Sequence, residues 1–216
     1  MSVPEDQPRG RFITVEGIEG VGKSTHIRRL KSHVEAAGYS VDVTREPGGT
    51  PTAEAIRALL ISHGDEPMPE AAELLLMFAA RALHVANRIR PALNDGVWVI
   101  SDRFVDASRA YQGGGRGLSS ARIEQLAELA LDGLEPDVTL LLDAPPAVGL
   151  GRAARRGSKD RFETETLDFF ERVRQSYLDL AKAEPARFVV LDASGTIDGV
   201  AELVDEAAQK ILDRFN

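Results

Sequence analysis

The sequence predicts an α/β fold, a doubly wound five-stranded parallel sheet flanked by helices, and three observations predict it. Short apolar or β-branched runs alternate along the chain with longer stretches of helical periodicity. The intervals between runs are too long for hairpins, so successive strands must pair in parallel through right-handed crossovers. The length, 216 residues with 43% hydrophobic and 28% charged side chains, suits one domain that buries its core without a covalent staple.

Residues 1–11 are polar, carry two prolines and no secretory core, and form a flexible tail before a single domain over 12–216. Phe12 to Glu16 is the first strand and runs into a glycine. From Lys23, the residues Ile27, Leu30 and Val34 recur at helical spacing, and Gly38 closes that helix. Val41 to Thr44 is the second strand, followed by a Pro-Gly-Gly loop at 47–49. Helices over 52–62 and 70–90 are divided by Gly64, Pro67 and Pro69. Val97 to Ser101 is nearly all apolar, as a strand covered on both faces should be, and Val138 to Leu142 and Phe188 to Leu191 repeat the pattern. Further helices are expected at 119–132, 146–154, 164–183 and 197–214.

Composition removes several chemistries. Without cysteine there is no disulfide, thiolate metal site or Cys nucleophile. The net charge of −8, from 26 basic and 34 acidic residues, argues against nucleic acid as a partner. Any anionic ligand must therefore meet locally placed cations. No apolar run approaches the roughly 20 residues of a membrane span, so a cytoplasmic protein with no membrane contact is expected.

Gly17-Ile18-Glu19-Gly20-Val21-Gly22-Lys23-Ser24 has the spacing of a phosphate-binding loop, between a predicted strand and a predicted helix. Glycines let successive amides converge on phosphate oxygens, and the helix adds its N-terminal amides. Lys23 would reach the terminal phosphates and Ser24 would ligate magnesium. These eight residues with Thr25 are the expected cofactor-binding set, for ATP and Mg2+ on a P-loop NTPase fold. The Asn-Lys-x-Asp element of a GTPase does not follow, which favours a transferase with a second pocket.

Three arginines point to that pocket. Arg45-Glu46 and Asp102-Arg103 follow their strands directly, so a parallel sheet places both pairs on one rim. Arg81 shares an apolar helical face with Leu74, Phe78 and Val85, where an arginine is costly unless it is paired or meets an anion. Arg152, Arg155, Arg156, Lys159 and Arg161 form a further cluster at about 152–163, either a solvated helix end or a lid that closes over phosphates. Two aspartates end apolar strands and could face magnesium. Asp143 leads into Ala-Pro-Pro without a neighbouring cation, whereas Asp102 precedes arginine and is favoured.

These pieces resemble the thymidylate kinase family of P-loop nucleoside monophosphate kinases. The matching segments are the phosphate loop, Thr44-Arg45-Glu46-Pro47-Gly48-Gly49-Thr50, Phe78-Ala79-Ala80-Arg81, and Asp102-Arg103-Phe104 with Ser108 and Ala110-Tyr111-Gln112-Gly113-Gly114-Gly115-Arg116-Gly117. Asp160-Arg161-Phe162-Glu163 and Phe169-Phe170 extend the likeness across the chain after the tail. The resemblance implies transfer of the ATP γ-phosphoryl group to thymidine monophosphate (dTMP) by a homodimeric enzyme. It implies that Arg45, Arg81 and Arg103 hold the acceptor phosphate, that Ser108, Phe78 and Gln112 line the acceptor site, and that Tyr111 sits under the deoxyribose. Glu19 would lie near the acceptor's sugar and phosphate, and Asp102 would position magnesium or the acceptor. Gly20 stands where some relatives carry a catalytic arginine, and relatives with glycine there use lid cations, which here means Arg155, Arg156 or Arg161. Many relatives place the base-stacking aromatic at the position of Met77, whereas here the aromatic is Phe78. A deoxynucleoside kinase is the nearest rival reading, and a regulatory P-loop NTPase is a more distant one.

Overall fold

Five strands form at Phe12–Glu16 (β1), Val41–Arg45 (β2), Trp98–Asp102 (β3), Val138–Asp143 (β4) and Phe188–Asp192 (β5). They pair in parallel in the order β2-β3-β1-β4-β5. The computed structural model describes residues 9–62, 66–154 and 161–215. The basic cluster at 152–163 is therefore described only at its two ends, and Arg155, Arg156 and Lys159 lie outside the described residues.

Register sets the height of the functional residues. Arg45 lies opposite Asp102, and Asp102 lies opposite Val15, so the carboxyl ends of β2, β3 and β1 finish level on one edge. Alternation along β1 divides its side chains between two layers. Ile13 and Val15 join Ile100, Leu140 and Leu142 in the apolar layer shared with α1 (Lys23–Ala36) and α9 (Ile197–Phe215). Phe12, on the opposite face, packs with Val99, Phe78, Ile89 and Ile123. Thr14 and Glu16 continue that second face, both fully buried, so it turns polar toward the carboxyl edge.

Helices α2 (Pro51–Ile61) and α3 (Glu70–His84) match the predicted pair. The second helix outlasts its expected end at residue 90. It passes through a π turn at Val85–Ile89 into α4 (Arg90–Asn94). Pro91 lacks an N–H and its ring crowds the carbonyl one turn back, which a widened turn relieves. The sequence signal gives no helix between β3 and α6 (Ser120–Leu131), yet α5 (Val105–Ser108) forms there and continues as a π turn over Arg109–Gly115.

The glycines at 113–115 serve close packing. A Cβ on Gly114 would lie 2.6 Å from Ser176 Cβ and 3.1 Å from the Arg172 carbonyl, and one on Gly115 would strike the Phe169 ring at 2.5 Å. All three partners belong to α8 (Leu167–Ala183), which lies against the turn that carries Tyr111 and Gln112. The remaining helix, α7 (Pro146–Ala153), follows β4. Gly114→Ala should therefore destabilise the protein by about 1–3 kcal/mol through overpacking. A urea midpoint equal to that of the parent would show that α8 does not press on this turn.

Candidate active site

A cavity of about 300 Å³ opens at the carboxyl edge of the sheet, walled on one side by the phosphate loop and on the other by α2, α3 and α5. Within the loop, Glu19, Gly20, Gly22, Lys23, Ser24 and Thr25 line it. Ile18 and Val21 bury their side chains in the core beneath, so what they offer the cavity is backbone. Gly20, at φ 77°, lies so close to α7 that a Cβ there would sit 1.8 Å from the Gly149 carbonyl oxygen. Phosphate loop and α7 thus touch backbone to backbone.

Lys23 Nζ donates to the carbonyls of Gly17 and Ile18 at 3.1 and 3.0 Å. Burial pushes its pKa down to about 8, and the nearby Arg103 charge adds to that. An anion bound beside it would restore the charge, because opposite charge favours the protonated amine.

All three arginines named from the sequence line this one cavity. Arg45 is half-exposed and pairs with Glu54 at 2.7 Å. Arg81 is only 2% exposed; its Nε donates to Glu46 at 2.7 Å, Nη1 to Ser108 Oγ at 3.0 Å and Nη2 to the Phe104 carbonyl at 3.0 Å. A guanidinium has five N–H donors, so two on Arg81 are left for a ligand. Glu46 is fixed in turn by His84 Nδ1 at 3.0 Å.

Arg103 sits at φ 72°, a left-handed conformation that costs a non-glycine residue about 1–2 kcal/mol. Compensating bonds run from its amide to the Val15 carbonyl and from Ser101 Oγ to its carbonyl. The turn aims its guanidinium at Glu19 (2.8 Å), Tyr111 Oη (2.9 Å) and Tyr177 Oη (3.2 Å). Burial opposes that charge, but Tyr111, Glu19, Tyr177 and Glu16 around it hold the Arg103 pKa well above its usual value. Tyr111 Oη donates to both Glu19 oxygens, at 2.9 and 2.7 Å, and burial keeps the phenol protonated by raising its pKa. Ser108 and Gln112 complete the wall beside it.

Other expectations need correction. Phe78 lies 3% exposed in the second apolar layer with the Arg81 guanidinium 4.7 Å from its ring, and Met77 takes the place at the cavity. Helix phase explains the exchange: Met77 stands four residues before Arg81 and Phe78 only three. Arg161 does not reach the phosphate loop. Its guanidinium is held by Glu73 at 2.8 Å and by the Leu60 carbonyl at 3.0 Å, while the next residue, Phe162, lines the cavity. Asp143 has a cation after all, since Arg174 of α8 grips both its oxygens at 2.7 and 2.8 Å. Asp102 lines the cavity together with Ser24.

Sequence reasoning missed Arg57 and Tyr177. Arg57 projects from α2 into the cavity and donates to the Pro47 carbonyl at 2.8 Å. An isolated arginine on an amphipathic helix carries no signal by itself. Tyr177 comes from α8, some seventy residues beyond the arginine it touches, and no local pattern reveals that contact.

The thymidylate kinase family profile matches residues 15–204. A thymidylate kinase of Chromohalobacter salexigens is 56% identical over 193 residues, covering 88% of this chain and 91% of that protein. One from Pseudomonas syringae is 52% identical over 204 residues, covering 94% and 97% respectively. The chain belongs to the thymidylate kinase family. The crystal structure of thymidylate kinase from Ehrlichia chaffeensis superposes with a TM-score of 0.75 at 34% identity, over 94% of this chain and 99% of that one. Membership makes the chain a nucleoside monophosphate kinase, and neither the deoxynucleoside kinase nor the regulatory reading is favoured. Among the described residues no helix is long and apolar enough to cross a membrane.

In this family member the carboxylate ending β1 carries an electrostatic burden. Glu16 is fully buried, accepting from the Phe104 amide and from Tyr177 Oη, each at 2.7 Å. Burial, followed by the charge of Asp106, pushes its pKa up to about 7. A carboxyl raised in the folded state binds more protons than in the unfolded chain, so its stabilising contribution is complete below about 4.5 and lost as pH rises through about 7. The shift corresponds to about 3 kcal/mol. Glu16→Gln should remove that portion of the pH dependence, so that stability differences between pH 4.5 and pH 8 shrink relative to the parent in urea titrations. An unchanged difference would show that Glu16 ionises normally.

Proposed function

We propose that this chain transfers the γ-phosphoryl group of MgATP to dTMP, giving dTDP and ADP, by direct in-line displacement. The observation that carries the reading is a single cavity containing a phosphate loop with Lys23 and four guanidinium groups, from Arg45, Arg57, Arg81 and Arg103. In an acidic protein that concentration of cations fits two anionic nucleotides meeting end to end. A nucleoside acceptor would need far fewer.

The loop amides, Lys23 and Thr25 hold the donor phosphates, and the arginines orient the acceptor phosphate in line with them. Ser24 and Asp102 offer hard oxygen donors at one place on the wall. No cluster of three or more His, Asp or Glu side chains that could hold a metal occurs among the described residues. That limited donor set fits Mg2+, which commonly takes few protein ligands and completes its shell with phosphate oxygens and water. When bound, the ion neutralises charge on the phosphoryl oxygens. The acceptor is already an anion, so no general base is required. Tyr111 and Glu19 close the sugar side, Ser108 and Gln112 face the base, and Met77 with Phe162 supplies its apolar walls. Lid cations at Arg155 or Arg156 add charge to the transition state, while Arg161 anchors the end of that segment.

A screen of nucleoside monophosphates with ATP and magnesium should show dTMP consumed and thymidine left untouched. Lys23→Ala should cut turnover by about 100-fold or more with the fold intact. Phosphorylation of thymidine in preference to dTMP, or near-normal turnover by the variant, would reject this reading.

The same reading places the enzyme in the cytoplasm as a homodimer. Leu75 on α3 and Leu129 on α6 stand 58% and 81% exposed, and their helices pack side by side. Such a pair of outward leucines suits a second copy of this chain. Leu129→Glu should convert a dimer into a monomer in sedimentation, and a parent protein that sediments as a monomer would refute the pairing.

A further inference from the structure

Glu73, on α3, has so far appeared only as the anchor of Arg161, yet it is 1% exposed and stands one and two helical turns before the cavity residues Met77 and Arg81. Its Oε1 accepts from Gln112 Nε2 at 2.8 Å, and Gln112 is itself 1% exposed and lines the cavity. Arg161 and Arg116 hold the other Glu73 oxygen at 2.8 and 3.2 Å, and Arg116 Nε also reaches Oε1 at 3.5 Å. We propose that Glu73 is a positioning residue that sets base preference, by locking the Gln112 amide so that its carbonyl oxygen is the atom turned toward the acceptor base.

The reason is the chemistry of the two side chains. A primary amide is nearly symmetric in shape but opposite in hydrogen bonding at its two ends, so an unrestrained glutamine turns over and exchanges donor for acceptor. A carboxylate only accepts. Turning Gln112 over would set its Oε1 against Glu73 Oε1, two buried acceptors face to face with no hydrogen between them. Gln112 is thereby confined to one orientation, with one Nε2 hydrogen on Glu73 and Oε1 left for the ligand.

That orientation suits an imide edge. Thymine presents N3–H, a donor to Oε1, and a flanking carbonyl that can accept the second Nε2 hydrogen. Cytosine presents a lone pair at N3 and an amino group beside it, the pattern that only the forbidden orientation could read. Selection against dCMP then follows from leaving buried polar groups unpaired. The inference rests on the reading that Gln112 faces the acceptor's base.

The test is kcat/KM for dTMP and dCMP under saturating ATP and magnesium. In Glu73→Gln the new amide can donate or accept, so Gln112 is satisfied either way round. The dCMP-to-dTMP ratio should rise about 10-fold or more, mainly through KM, with kcat for dTMP much less affected. Arg116→Lys perturbs the ion pairs but leaves the acceptor-only carboxylate, and should keep the parental ratio. A ratio unchanged in Glu73→Gln, or raised as much by Arg116→Lys, overturns the proposal and assigns Glu73 a purely structural role. If Gln112→Ala has the parental KM for dTMP, the base-site reading falls and this proposal with it. If that KM rises while the Glu73→Gln ratio stays put, the proposal alone fails. Should Glu73→Gln not fold, side-chain amide exchange in the parent protein reads the same lock: slow exchange of a Gln112 Nε2 proton supports it, and solvent-like exchange overturns it.

Discussion

A guanidinium taken out of water must be matched by an anion, and in the absence of ligand that anion has to come from the protein itself. Arg81 meets Glu46, Arg103 meets Glu19, and Arg45 meets Glu54 at the rim. Each carboxylate lies on a different segment from its arginine, so every pair also ties two parts of the chain together. Such pairs contribute little net stability when buried, and removing one member leaves a stranded charge. What they supply is orientation before the ligand arrives. Lys23 rests instead on loop carbonyls, and burial with the Arg103 charge lowers its pKa against the pull of Asp102, Glu19 and Glu16.

The sheet explains why these groups converge. Level carboxyl ends on β1, β2 and β3 bring Glu16, Arg45 and Asp102 to one edge, and the left-handed turn at Arg103 folds the next side chain back over the phosphate loop. Behind them lies a polar layer on the second face of the sheet. Thr14 and Thr139 share a hydrogen bond of 2.8 Å, and Asp106 is held by Arg187 at 2.6 Å. Asp106 belongs to α5 and Arg187 directly precedes β5, so the helix that starts the acceptor wall is tied to the far side of the sheet. Tyr177 makes a similar link between α8, Glu16 and Arg103.

Much of this was legible in the sequence because parallel strands translate directly into position. Once the strands ending at Glu16, Arg45 and Asp102 were recognised, their common edge followed. The phosphate loop was equally readable, since its spacing is dictated by the ligand. Failures came where a contact depends on helix phase or on distant packing. One residue of phase separates Phe78, in the core, from Met77, at the cavity. The resemblance includes Gly113 to Gly115 without a reason for their size, whereas Gly114 and Gly115 are small to allow contact with α8, an element fifty residues away. Arg57, Glu73 and Tyr177 look like ordinary helix residues, and only the assembled fold gives them neighbours. Arg161 kept its place beside the site but found a buried carboxylate in place of phosphate.

The contact between Gly20 and Gly149 bears on how such a site can change over generations. With the two backbones pressed together, no side chain of any kind fits at position 20 until the helix after β4 is pushed aside. A cation therefore cannot be placed at position 20 by one substitution while α7 keeps its position. Added positive charge is sterically easier to carry in the segment beyond α7, where the sequence already concentrates basic residues.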